Sequence, residues 1–254
     1  AILDPEVTVP MPGRLTATTG MDALTHAIEA YVDKEWSPAS DALAIHAIRL
    51  ISGNILQACA HPEDIQARGA MLVGSFLAGV AFSHSMVGMT HGISHALGGV
   101  YHIPHGLANA LVLPEVMEYN LDSRMGRFSD IAIAMGVNFP QIVEQGASLL
   151  KANMRPDFVT KALDSIEVGR QWFDIQSFKV KGLAIDAMET LSFIDQWFRK
   201  QAAKAGIEKV RMLNRQLAYL TGMPLDLKSA GIDDNLARLE QVATTAMEDG
   251  SMLY

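Results

Sequence analysis

Four of the chain's eight histidines, His91, His95, His102 and His105, fall within residues 88–106, in the run GMTHGISHALGGVYHIPHG. No acidic or basic side chain other than histidine interrupts this run, which is mostly small and apolar. Imidazole is the commonest metal ligand and the usual proton carrier near neutral pH, so such a cluster restricts how the surrounding segments can pack. His91 and His95 are four apart, so on a helix they leave one face on successive turns. The Gly98-Gly99 pair is expected to stop that helix, and His105, after Pro104, to sit on a turn.

The remainder reads as helix. Pro5, Pro10 and Pro12 make residues 1–13 an extended lead-in. From Arg14 onward, Met21, Leu24, Ile28 and Tyr31 keep the spacing of one helix face, with Thr19 expected as the N-cap. A second helix is expected to start after Ser37-Pro38 and run to about Ala60, since proline is tolerated in a first turn. His61-Pro62 breaks it. A third, over 62–84, is apolar nearly all round in its latter half, which predicts burial, with Gly74 and Gly79 at close helix contacts. Further helices are expected over 107–119, 125–135, 140–152, 156–163, 183–205, 210–220 and 233–248. No stretch alternates with a period of two, and there is no repeat or low-complexity linker. The fold class is therefore all-α: a multi-helix, bundle-like domain of eight to ten helices spanning 1–254.

Composition sets outer limits. The net charge of -8 argues against nucleic acid or an anionic membrane surface as partner, because phosphate recognition needs a basic face. Polar residues interrupt the apolar runs before the eighteen or so needed to span a bilayer, and residues 1–13 lack the pattern of a signal peptide. A single cysteine, Cys59, makes no internal disulfide and suits a reducing compartment. The expectation is an acidic cytoplasmic protein with no nucleic-acid or membrane partner.

Asp22 and His26 are a second i,i+4 pair, placing a carboxylate and an imidazole on one face of the first helix. A buried aspartate calls for a partner, and a metal ion is one. With His91 and His105 the set becomes one carboxylate and three imidazoles, which suits Fe(II), Zn(II), Co(II) or Ni(II) far better than calcium or magnesium. A catalytic role then requires an open position for a substrate oxygen. His95, one turn beyond His91, is placed to carry a proton beside the ion. His46, His61 and His84 occur singly in ordinary helical or capping contexts, His102 is undecided, and Phe82 is either core or lining of the site.

Two segments, DPEVTVPMPGRLTATTGMDALTHAIEAYV and THGISHALGGVYHIPHGLANALVLPEVMEYN, resemble the iron-containing (group III) alcohol dehydrogenase family across about residues 3–136. MPLDLKSAGIDDNLARLEQVATTAMED is similar to that family's C-terminal helices, more weakly. The resemblance implies a two-domain, dehydroquinate synthase-like architecture of which this chain is the helical metal-binding half. The dinucleotide-binding half with its glycine-rich phosphate loop is absent from it, and residues 139–223 are longer than in typical members. It implies Fe(II), with Zn(II) as the alternative ion, held by Asp22, His26, His91 and His105. His95 would act in proton transfer near the nicotinamide, and Leu15 and Phe82 would line the nicotinamide pocket. The activity implied is NAD(P)-linked interconversion of a primary alcohol and its aldehyde in a homo-oligomer, with this half inactive alone. The zinc-dependent glycerol dehydrogenase branch typically lacks a histidine at the position of His26, and HExxH, ExxH and His-Asp signatures do not occur. The non-enzyme alternative is a helical metal-binding or sensor module working alone.

Overall fold

The computed structural model describes residues 1–137, 139, 142, 144, 148, 185–232 and 237–250. Every regular element among them is helical. A 3-10 turn, Pro5–Thr8, precedes α1 (Gly13–Val32), α2 (Pro38–Ala60), α3 (Ile65–Ser85), α4 (Met89–Tyr101), α5 (His105–Tyr119), α6 (Leu121–Ala134), α7 (Ile185–Thr221) and α8 (Leu239–Glu248). The chain divides into two compact units, Ala1–Val137 with Ala203–Tyr254, and Asn138–Ala202. Of the helix expected over 140–152 only residues 142, 144 and 148 are described, each of them helical, while the one expected over 156–163 and the start of the one expected over 233–248 lie outside the described residues.

In the first unit, α1 is the central helix, packed against α2, α3, α5 and α6, while α4 pairs with α5 and α8 lies on α4. Small residues on α1 permit this. A Cβ on Gly20 would fall 2.7 Å from Ile55 Cδ1 and 2.8 Å from Met71 Cε, so α2 and α3 close on α1 only because none is there. Arg68 of α3 is buried and ties the lead-in down, its guanidinium donating to the Met11 carbonyl at 3.5 Å as well as to Thr16 Oγ1 at 2.8 Å and the Pro62 carbonyl at 3.0 Å.

Several local expectations give way to context. The lead-in contains the 3-10 turn, where Pro5 has no N–H to lose and Asp4 accepts from Glu6 N–H. α1 starts at Gly13, earlier than expected, so Thr19 is an interior residue whose hydroxyl donates to the Leu15 carbonyl at 2.8 Å and caps nothing. α2 begins as expected, with Ser37 and Ser40 forming a reciprocal capping box. The latter half of α3 is not buried all round, since its neighbours cover one side and leave Phe76 43% and Val73 37% exposed. A Cβ on Gly74 would meet Ile51 Cγ1 at 2.7 Å, whereas Gly79 faces open space, so only the first serves a close contact. By length and apolarity alone α2 and α3 are sufficient to cross a membrane, contrary to the sequence reading. The same holds for many core helices, and α2 packs along both α1 and α3.

α4 runs straight through Gly98-Gly99 and stops at His102, whose left-handed backbone (φ 58°, ψ 31°) ends it. α5 contains Pro114, which cannot donate to the Ala110 carbonyl; Asn214 of α7 supplies that bond instead, at 2.6 Å. α6 extends from Leu121, with a kink at Arg124. The two helices expected over 183–205 and 210–220 are one. Gly206 interrupts nothing and lets α7 approach α6, where a Cβ would sit 2.9 Å from Ala132 Cβ.

Candidate metal centre

All the residues that bear on the site belong to the first unit. Asp22 and His26 stand one turn apart on α1, His91 and His95 one turn apart on α4, and His105 is the first residue of α5. α5 reaches α1 through Gly106, where an added Cβ would collide with the Thr18 carbonyl. That approach brings His105 Nε2 to 3.2 Å from Asp22 Oδ1, with His91 Nε2 3.9 Å from the same oxygen. Asp22, His26 and His91 each offer one donor atom within 4.8 Å of the others, a spacing that could hold a metal ion. The rings form one stack of contacts: His26 to His91 with centroids 4.2 Å apart, His91 to His105 at 5.3 Å, and His95 to His105 at 5.2 Å.

Orientation is set from behind. Glu29, one turn beyond His26 on α1 and 4% exposed, accepts from Gly88 N–H at 3.0 Å, Thr90 N–H at 2.6 Å and His91 Nδ1–H at 2.6 Å. It thereby ties the start of α4 to α1 and leaves the other nitrogen of His91 facing Asp22. His26 Nδ1–H donates to the Asp22 carbonyl at 2.9 Å, which likewise frees its Nε2. Asn109 of α5, fully buried, places Nδ2 at 2.5 Å from Asp22 Oδ1, 3.2 Å from His91 Nε2 and 3.1 Å from His105 Nε2. His95, with 46% of its side chain exposed, donates through Nδ1–H to Asp249 beyond the end of α8, at 2.8 Å.

The electrostatics favour a cation. Burial pushes the Asp22 carboxyl up, but hydrogen bonds from His105 and Asn109 and the nearby imidazoles outweigh it and hold the group below the usual carboxylate value. Glu29 behaves alike: burial raises it, and the bonds from His91, Gly88 and Thr90 bring it below the usual value. Burial and the neighbouring His91 depress His26 to about 4, so its lone pair is available at neutral pH. His105 is raised by its bond to Asp22.

Of the four expected ligands, Asp22, His26 and His91 lie close enough together to share an ion, His105 adjoins them through Asp22, and His95 stacks on His105. Phe82 stacks on His26 with centroids 4.5 Å apart, so it lines the site. Leu15 is 47% exposed, seven residues before Asp22 on α1. His46, His61 and His84 are exposed, and His102 is an exposed helix terminus. Glu29, Asn109 and Asp249 were not anticipated. For Glu29 a signal existed, an acid seven residues after Asp22 in an otherwise apolar helix, and Asn109 is one turn after His105. Nothing in the sequence marks Asp249.

The model of the Fe-containing alcohol dehydrogenase family, C-terminal, matches residues 16–164, more than half of the chain. The chain belongs to the Fe-containing alcohol dehydrogenase family. Among its curated relatives in that family, 1,3-propanediol dehydrogenase of Klebsiella pneumoniae is 50% identical over 138 residues, covering 54% of this chain and 36% of that protein. NAD-dependent methanol dehydrogenase of Bacillus methanolicus is 49% identical over 138 residues, with the same shares. A crystal structure of a 1,3-propanediol oxidoreductase superposes with a TM-score of 0.70 at 33% identity, covering 98% of this chain and 50% of that one. An alcohol dehydrogenase from Oenococcus oeni does so with a TM-score of 0.70 at 28% identity, covering 98% and 49%. The chain thus spans about a third of the length of the curated relatives it matches and about half of those solved structures.

Proposed function

We propose that this chain is the metal-binding half of an NAD(P)-linked alcohol dehydrogenase that interconverts a primary alcohol and its aldehyde. The observation that carries the reading is the convergence of one carboxylate and three imidazoles, two of the rings held in a fixed tautomer by hydrogen bonds from behind. That donor set, borderline in softness and free of thiolate, fits Fe(II) or Zn(II). An ion held by Asp22, His26, His91 and His105 supplies Lewis acidity, which lowers the pKa of an alcohol hydroxyl and polarises an aldehyde carbonyl.

This chain's own residues do the rest. Asp22 offsets part of the ion's charge, and His26 enters as a neutral ligand without first losing a proton. Phe82 packs over His26 and keeps water from that side of the ring. His95 takes the alcohol proton: Asp249 fixes its Nδ1–H, Nε2 is left to accept, and the half-exposed ring passes the proton to solvent. The hydride acceptor is the nicotinamide of NAD(P), as the names of the relatives suggest: one is an NAD-dependent methanol dehydrogenase, another an NADPH-dependent butanol dehydrogenase. Leu15 and Phe82 face that cofactor, and the alcohol is a small primary one.

The test is plasma mass spectrometry beside a turnover assay on the whole protein. About one iron or zinc per chain is expected, lost in His91→Ala, while His95→Ala keeps the metal and turns over roughly 100-fold more slowly. An unchanged rate in His95→Ala overturns the proton-relay role; metal retained in His91→Ala overturns the ligand set.

A further inference from the structure

The Asp22 carboxylate stands on α1 and meets groups from both α4 and α5, and the hydrogens around it follow from its neighbours. His91 gives its Nδ1–H to Glu29, which leaves Nε2 as an acceptor. Asn109 Nδ2 has two hydrogens, and they go to Asp22 Oδ1 at 2.5 Å and to His91 Nε2 at 3.2 Å. His105 Nε2, 3.2 Å from Asp22 Oδ1, then completes the set as a second donor to that oxygen. Its 3.1 Å approach to Asn109 Nδ2 is a contact between two donors that share one acceptor.

Uptake of an ion would change these bonds unequally. A ligating imidazole offers its lone pair, so His91 no longer accepts from Asn109 and His105 no longer donates to Asp22. The bond from Asn109 to Asp22 survives, and among the described residues no other side chain is then left to donate to that carboxylate. A bond to an ionised oxygen is roughly twice as strong as one between neutral groups, such as the bond given up at His91. Holding Asp22 therefore outweighs that loss. Asn109 is itself well fixed, being fully buried on α5 one turn after His105.

We propose that Asn109 is a positioning residue of the metal site: by holding one oxygen of Asp22 it sets the orientation in which the carboxylate meets an ion. The inference rests on the metal-centre reading above and adds to it a residue that is not itself a ligand. α5 thereby contributes twice, with His105 as a ligand and with Asn109 as the group that aims a ligand carried by α1.

The experiment is a double-mutant cycle of Asn109→Leu and Asp22→Ala on the whole protein. Zinc affinity is measured by competition with a chelator, and circular dichroism establishes that each variant is folded. In the wild-type background Asn109→Leu weakens zinc by about 10- to 100-fold, the range found when groups behind metal ligands are removed. In the Asp22→Ala background three imidazoles remain and there is no carboxylate to aim, so the same change costs about 2-fold or less, as for groups that do not interact. Cobalt(II) in place of zinc gives a second readout, because its visible absorption follows ligand geometry: the bands of Asn109→Leu are displaced from those of the wild type. Should Asp22→Ala bind zinc too weakly to measure, the cobalt bands decide. Asn109→Ala is carried through the same cycle, and if neither variant at 109 folds, the residue serves the fold and the inference is overturned. Equal losses in the two backgrounds, unshifted cobalt bands, or zinc bound by Asn109→Leu as tightly as by the wild type overturn this inference alone. A wild type that binds no zinc overturns it together with the metal-centre reading.

Discussion

At the scale of single residues, Glu29 does more than its place in the sequence suggests. One buried carboxylate serves two backbone N–H groups of α4 and the back of His91, so the fold and the site depend on the same group. Because its pKa in the fold lies below the ordinary value of 4.5, its charged form stabilises the native state above that pH. The contribution is lost as pH falls through the folded value. Urea unfolding should therefore find Glu29→Gln less stable than the wild type by about 2 kcal/mol at neutral pH, a gap that narrows below about pH 4.5. A gap independent of pH would assign Glu29 a packing role only. Cys59 gives a second test: burial pushes its thiol up to about 11, so thiol reagents at pH 8 should modify it slowly in the native protein and rapidly in urea. Asp22 with His26, and His91 with His95, stood out because such groups at four-residue spacing share a helix face, while His105 stood out only by its place after Pro104. Asn109 and Asp249 did not, since an amide or a distant acid acquires its meaning only from what folds against it.

At the scale of elements, glycines set the distances between helices, and their effects divide by what lies opposite. Gly106→Ala should drive α5 off α1, separate His105 from Asp22 and abolish metal binding, because the obstacle is the Thr18 backbone carbonyl, which cannot swing aside. Gly79→Ala meets nothing within 4 Å and should raise stability by about 0.5–1 kcal/mol by favouring the helix. Thermal melts with zinc titrations separate the two, and a destabilised Gly79→Ala or a metal-binding Gly106→Ala would contradict this account of the packing. Helix identity was plain from periodicity, while the ends were not. α4 passes a Gly-Gly pair and stops at a histidine, and α7 passes Gly206 because α6 lies close against it. Local propensity is weak against packing, and only the second is set by segments distant in sequence.

At the scale of the whole molecule, the site is assembled from three helices that short-range signals place independently, α1, α4 and α5, and it exists only where they meet. The all-α class and the membership of the Fe-containing alcohol dehydrogenase family were both readable from motifs in the first 136 residues. About half of the segment 139–223, where extra length was expected, lies outside the described residues. The central claim is that the four donors hold one ion. Anomalous diffraction from crystals of the protein, recorded at the iron and zinc absorption edges, tests it most directly. The account predicts a single peak per chain, bounded by Asp22, His26, His91 and His105. A peak elsewhere, or none in crystals soaked in either metal, would contradict it.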